Sequence, residues 1–183
     1  MKIYLFLFLA IFGIASTADA QRRDYMTEAE IEIVRDNQDI DKRIDVLTKM
    51  IDRRFAAAGI AVGGWKAPNK ESSIWGPEPE GTRLQLMTDV KYLLQKAIDD
   101  VDDVSEHNEN TLTQNKKEGL LFPKSVRVLA AAAERYIVPL KTESDKAKDE
   151  KERGVMLQSI ESCELIIESI KQLPPEDPKK KKS

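Results

Sequence analysis

Ile40, Ile44, Leu47, Ile51, Phe55 and Ala58 follow one another at steps of three or four residues, and the same rhythm returns three more times along the chain. Steps of that size place apolar side chains on one face of an α-helix. Asp41, Lys42, Asp45, Lys49 and Asp52 fall on the opposite face, and the pattern assigns them to water. The second run is Leu86, Val90, Leu93, Ala97, Val101 and Val104, and the third is Val126, Leu129, Ala133, Tyr136 and Leu140. In the fourth, Met156, Ile160, Cys163, Ile167 and Ile170 alternate steps of four and three, as in a coiled-coil seam. No segment between the runs reads as a strand. Stripes of this kind bury best against one another, so the sequence predicts an all-α fold, an up-and-down four-helix bundle.

Local signals mark the ends of these helices. Asp39 is placed to cap the first run and Gly59 to stop it; Thr82 precedes the second, and Pro123 opens the third at a position where proline is favoured. A shorter helix comes before the four. Thr27 and Glu30 have the spacing of a capping box, and Ile31 and Val34 are assigned to its inner side. Pro139 is expected to kink or end the third long helix, because it lacks a backbone donor and crowds the preceding turn. Thr142 to Gly154 is charged throughout, and its helical stretches are expected to project beyond the core.

The N-terminus has the form of a secretory signal peptide over residues 1–20. Lys2 supplies the positive start, Ile3 to Ile14 is almost wholly apolar, and Ala18-Asp19-Ala20 fits the small-x-small rule for cleavage before Gln21. The apolar run is shorter than the roughly 18 to 20 residues that span a bilayer, and no second run follows it. The expected product is secreted or periplasmic, without a transmembrane segment in the mature chain. Residues 21–173 form one helical domain in this reading, and 174–183 form a disordered tail rich in proline and lysine. Losing Lys2 and Asp19 takes one from each of the 29 basic and 32 acidic residues, so the balance stays at −3 and excludes a general nucleic-acid binder. The single cysteine, Cys163, permits no intrachain disulfide, which leaves the hydrophobic core to hold the fold.

Both tryptophans, Trp65 and Trp75, lie in the long connection from Gly59 to Thr82, together with five of the chain's eight glycines and Pro68, Pro77 and Pro79. That composition forbids a continuous helix. A tryptophan in such a loop either folds back over the end of the core or anchors a partner, and Trp65 and Trp75 are the candidate binding residues. Further along, the stretch "DDVDDVSEH" crowds carboxylates at a helix C-terminus, where the dipole is already negative. Asp99, Asp100, Asp103 and His107 are the candidate ligands if a divalent cation offsets that repulsion, although no EF-hand or paired-histidine spacing is present. Lys179, Lys180, Lys181 and Lys182 form a basic run that is solvated, hovers over the acidic pole or touches an anionic surface.

Catalysis finds little support. There is no Gly-x-Ser-x-Gly elbow, no Cys-x-x-Cys-His, no phosphate-cradling loop, and Cys163 sits in an apolar seam. No cofactor is implied. The order of "MTEAEIEIVRDNQDIDKRID", Met26 to Asp45, and "AIDDVDD", Ala97 to Asp103, resembles that of a group of uncharacterised exported bacterial helical proteins. In that group an acidic Thr-x-x-Glu opening, an Asp-capped helix and an Asp-rich later helix recur. The resemblance implies an extracytoplasmic α-helical protein and carries no activity or site. The expected function is therefore that of a non-enzymatic binding or structural protein of the cell envelope, acting on an unknown protein or envelope component. Weak self-association through the Met and Ile seam is also expected. The alternatives are a divalent-cation-binding protein using the acidic helix end, or a carboxylate-dependent envelope hydrolase.

Overall fold

A computed structural model of the chain describes residues 23–66, 74–107, 112 and 121–175. The expected signal peptide and the Lys179 to Lys182 run lie outside them. The described residues form five helices and no strand: α1 Glu28–Asp36, α2 Ile40–Ala57, α3 Arg83–His107, α4 Phe122–Lys146 and α5 Glu150–Ser169, the last continued by a single 3-10 turn Ile170–Gln172. None of these helices is long and apolar enough to cross a membrane. α2 packs on α3 and α4, α5 packs on α3 and α4, and α1 lies against α2. The helices thus form a bundle around one core.

Each stripe faces that core. Ile40, Ile44, Leu47, Ile51 and Phe55 of α2 are buried, as are Leu86, Val90, Leu93 and Ala97 of α3. All five stripe residues of α4 are buried, and so are Met156, Ile160 and Cys163 of α5. Val101, Val104, Ile167 and Ile170 pack on the edge of the core with part of their surface in solvent.

Most ends form as the local chemistry dictates, although Asp39, at the start of α2, makes no side-chain cap bond. Thr27 Oγ1 accepts from Glu30 N–H while Glu30 Oε2 accepts from Thr27 N–H at 2.9 Å, a complete capping box. Thr82 and Gln85 repeat the arrangement at the start of α3. At the end of α2, Ile60 N–H donates to Phe55 O at 2.8 Å and Gly59 N–H to Ala56 O at 3.0 Å, with Gly59 at φ +73°. This is a Schellman closure, and the left-handed residue it needs is the glycine.

Four expectations change. Asp52, assigned to water, is only 3% exposed, because α2 is covered on a second face by α4. On α1 the inner side is taken by Glu30 and Ile33, with Val34 at the edge and Ile31 half-buried. α4 does not end at Pro139: it continues to Lys146, and Leu140, directly beyond the proline, is buried in the core, which works against a local penalty of about 3 kcal/mol. The charged stretch does not project either. Its turn is Ala147 to Asp149, with Ala147 buried and Arg153 donating to Ala147 O at 3.0 Å. Across it, Arg83 at the start of α3 pairs with Glu143 on α4 and with Glu152 on α5 at 2.7 Å.

Buried Asp52 is held by α4. Tyr136 Oη donates to Asp52 Oδ1 at 2.7 Å, and Arg135 Nη1 lies 3.3 Å from the same oxygen. Burial raises the pKa of Asp52 while Tyr136 and Arg135 pull it down, and burial raises that of the Tyr136 phenol. Tyr136→Phe removes the shortest of these bonds and leaves a buried acceptor short of a partner. Urea unfolding of that variant is expected to show a loss of about 1–3 kcal/mol, and an unchanged midpoint would mean that Arg135 alone satisfies Asp52.

Candidate functional site

α2 closes on three consecutive ionisable residues, Asp52, Arg53 and Arg54, each no more than 3% exposed. Two adjacent guanidinium groups cannot leave water without a counter-charge. Glu30 supplies it from α1. Arg53 Nη1 donates to Glu30 Oε1 at 2.5 Å, Arg54 Nη2 donates to Glu30 Oε2 at 2.6 Å, and Arg54 Nη1 also reaches Oε1. The same carboxylate caps α1, so both of its oxygens are fully used. Two further bonds go to backbone: Arg53 Nη2 to Pro77 O at 2.6 Å, and Arg54 Nη2 to Tyr25 O at 2.7 Å.

Asp89 of α3 adds the second negative charge. Its Oδ2 lies 3.8 Å from Arg54 Nε, and its Oδ1 accepts from Arg23 Nη1 at 2.8 Å. Among the described residues, Arg53 Nε, Arg54 Nε and Asp89 Oδ2 are buried without a hydrogen-bond partner. Burial lifts the Asp89 pKa to about 6 against the pull of Arg23 and Arg54, and Glu30 adds to the rise. For Arg53, burial lowers the pKa while Glu30 opposes the shift.

The tryptophans close this cluster. Trp65 and Trp75 meet edge to face with centroids 5.4 Å apart and planes at 84°, and the Arg53 guanidinium carbon sits 5.3 and 5.5 Å from the two rings. A desolvated cation on an indole is worth up to about 2 kcal/mol. Both indoles remain partly exposed. The loop is fixed on its other flank by Arg135 Nη1, which donates to Val62 O at 3.1 Å. Gly64, at φ +87°, lies so close to α2 and α4 that a Cβ there would collide with the Asp52 carboxylate and the Arg135 guanidinium. Any other residue there would be strained at that φ and would have to displace Asp52 and Arg135.

The structure therefore brings Trp65 and Trp75 together. The acidic group is not assembled in the same way. Asp99 accepts from Gln95 at 2.8 Å, Asp100 pairs with Lys96 at 3.2 Å and Arg43 at 3.7 Å, and His107 Nδ1 stands 3.2 Å from Asp103 Oδ1. Among the described residues, no three histidine, cysteine or acidic side chains converge as metal ligands. The Glu30, Arg53, Arg54 and Asp89 cluster was not foreseen. Its one sequence signal is the pair Arg53-Arg54 standing directly before the stripe residue Phe55. Compared with known protein families, with curated proteins and with solved structures, the chain matches none.

Glu30→Gln keeps the shape and an acceptor for the cap but removes the negative charge that faces two buried arginines. Chemical denaturation is expected to show a loss of about 3–5 kcal/mol, with the tryptophan emission shifting as Arg53 loses its anchor. A loss below about 1 kcal/mol would mean that backbone carbonyls suffice for both cations. For Asp89 the sign follows from its raised pKa. Between about pH 4 and pH 6 the folded chain holds a proton that the unfolded chain has lost, so this group's contribution to stability falls as pH rises through that window. Asp89→Asn is expected to flatten that slope in urea melts taken across the same range, and parallel curves for the two proteins would refute the assignment.

Proposed function

We propose that the chain is an exported, non-enzymatic binding or structural module of the cell envelope, with its long helices running up and down and the Trp-bearing end as its contact surface. The Ala18-Asp19-Ala20 signal supports export with cleavage before Gln21. Cross-helix pairs support the up-and-down course: Arg43 with Asp100 joins the start of α2 to the end of α3, and Lys124 with Asp41 joins the starts of α4 and α2.

One observation carries the contact surface. Trp65 and Trp75 are held by a buried arginine yet remain partly exposed, and Ile74, the residue before Trp75, is 71% exposed. Aromatic side chains already held in place lose little freedom on binding, which favours them as interface anchors.

The test is a titration of the intrinsic tryptophan emission with cell-envelope oligosaccharides and with a set of short peptides. A saturable change is expected with one of the two classes, weakened at least about tenfold by Ile74→Asp, a surface change that leaves Arg53 and both indoles in place. No saturable change with either class, or one that survives Ile74→Asp and Trp65→Ala unaltered, would defeat the proposal.

A further inference from the structure

An opening lies where the segment before α1 meets α3, and neither tryptophan lines it. It is a cleft of about 610 Å³ whose lining includes Arg23, Asp24, Tyr25, Thr88, Asp89 and Tyr92. The Asp89 side chain is 4% exposed, so its carboxylate forms part of the deep wall of the cleft. A carboxylate offers about four acceptor positions. Asp89 Oδ1 takes one bond from Arg23, and Oδ2 takes none among the described residues.

The partner of Oδ1 is an unusual one. Arg23 comes from a non-helical segment, its side chain is 35% exposed, and its second contact is Nη2 donating to Glu80 O at 2.5 Å. A guanidinium thus reaches a nearly buried acid from the solvent side. Around it the cleft favours a flat cation. Tyr25 and Tyr92 stand 5.6 Å apart at 41°, and Lys91 Nζ already lies 5.2 Å over the Tyr92 ring. The phenol of Tyr25 has its pKa raised by burial first and then by Asp100, Asp24 and Asp99, which marks the local field as negative. An anion would meet that field, with Arg23 already paired to Asp89 and Lys91 already over Tyr92.

We propose that this cleft is a guanidinium-binding site that Arg23 fills from within the chain, and that an incoming alkylguanidinium takes the place of Arg23 on Asp89. Exchange of one guanidinium for another leaves no buried charge unpaired at its end. The displaced part is short. Arg54 holds Tyr25 O at 2.7 Å and the Thr27 cap holds the start of α1, so release stops before the helix. Two donors in a planar fork suit Asp89 and the Glu80 carbonyl, as the two Arg23 nitrogens show, and an ammonium has no such fork.

Calorimetric titration with agmatine tests the proposal, with n-butylamine at equal ionic strength as the reference. The native chain is expected to bind agmatine saturably and more tightly than butylamine. Arg23→Ala removes the internal competitor and is expected to bind about tenfold tighter, while Asp89→Asn binds at least about tenfold weaker. If Arg23→Ala does not fold, Arg23→Lys replaces it, since a lysine competes less well for the fork-shaped site. Binding of Gly-Arg-Gly amide more tightly than agmatine would identify a partner's arginine as the occupant, and the reverse order a free alkylguanidine. The proposal is overturned if no saturable binding occurs in the native chain or the Arg23 variant, if removing Arg23 fails to tighten binding, or if Asp89→Asn leaves it unchanged.

Discussion

Two guanidinium groups that follow one another along α2 leave water together, and one carboxylate meets both of them. Glu30 is fully buried and bonded to Arg53, Arg54 and the backbone N–H of Thr27. The rest of that end of the molecule hangs on this arrangement. α1, of nine residues, is too short to persist alone, and its capping glutamate is also its tether to α2. Through Arg53 the tether extends to Pro77 O and both indoles, and through Arg54 and Asp89 it extends to Tyr25 and Arg23. An apolar contact would tolerate a sliding helix. Forked bonds at these distances do not, so the cluster fixes where α1 and the loop sit even though an all-apolar replacement can match a buried ion pair for stability.

What is described of the loop, residues 59–66 and 74–82, is consequently part of the folded body. It is pinned from α2 by Arg53, from α4 by Arg135, and from the N-terminal segment by Arg23 at Glu80 O. Its glycines serve this closeness: Gly64 lies against Asp52 and Arg135, and Gly76, at φ +63°, would place a Cβ 2.8 Å from the Ala29 side chain. Cation, aromatic pair and close backbone approach together hold a segment that has no ladder of backbone hydrogen bonds in its described residues. Loss of α1 would remove the Glu30 partner of Arg53 and with it one of the three pins, while Arg135 keeps Asp52 and Arg23 keeps Asp89.

The helices were legible because burial on one face repeats with the helical period. All five stripe residues of α4, from Val126 to Leu140, are buried as the spacing requires, and Thr27, Thr82 and Gly59 end their helices by the bonds that their side chains or backbone freedom allow. What a single stripe cannot convey is how many neighbours a helix has. α2 touches α1, α3 and α4, so Met50 to Phe55 are buried all round, and the charged residues among them have to find partners far away in sequence. Asp52 finds Tyr136 and Arg53 finds Glu30, and neither pairing leaves a mark in local spacing. Trp65 and Trp75 were identified as a pair to watch from composition alone, while the cation that organises them lies in the preceding helix. Pro139 was misleading for a related reason. Its penalty is local, and the burial of Leu140 that works against it belongs to the bundle.

Cys163 sits in the seam of α5 with no exposed surface, and burial first, then Glu164, pushes its thiol up to about 12. A thiol so placed is neither ionised nor reachable while the bundle is intact. Oxidants and other thiols meet it only when α5 parts from α3 and α4, so covalent dimers of this chain would accumulate from opened molecules and record how often the bundle has come apart.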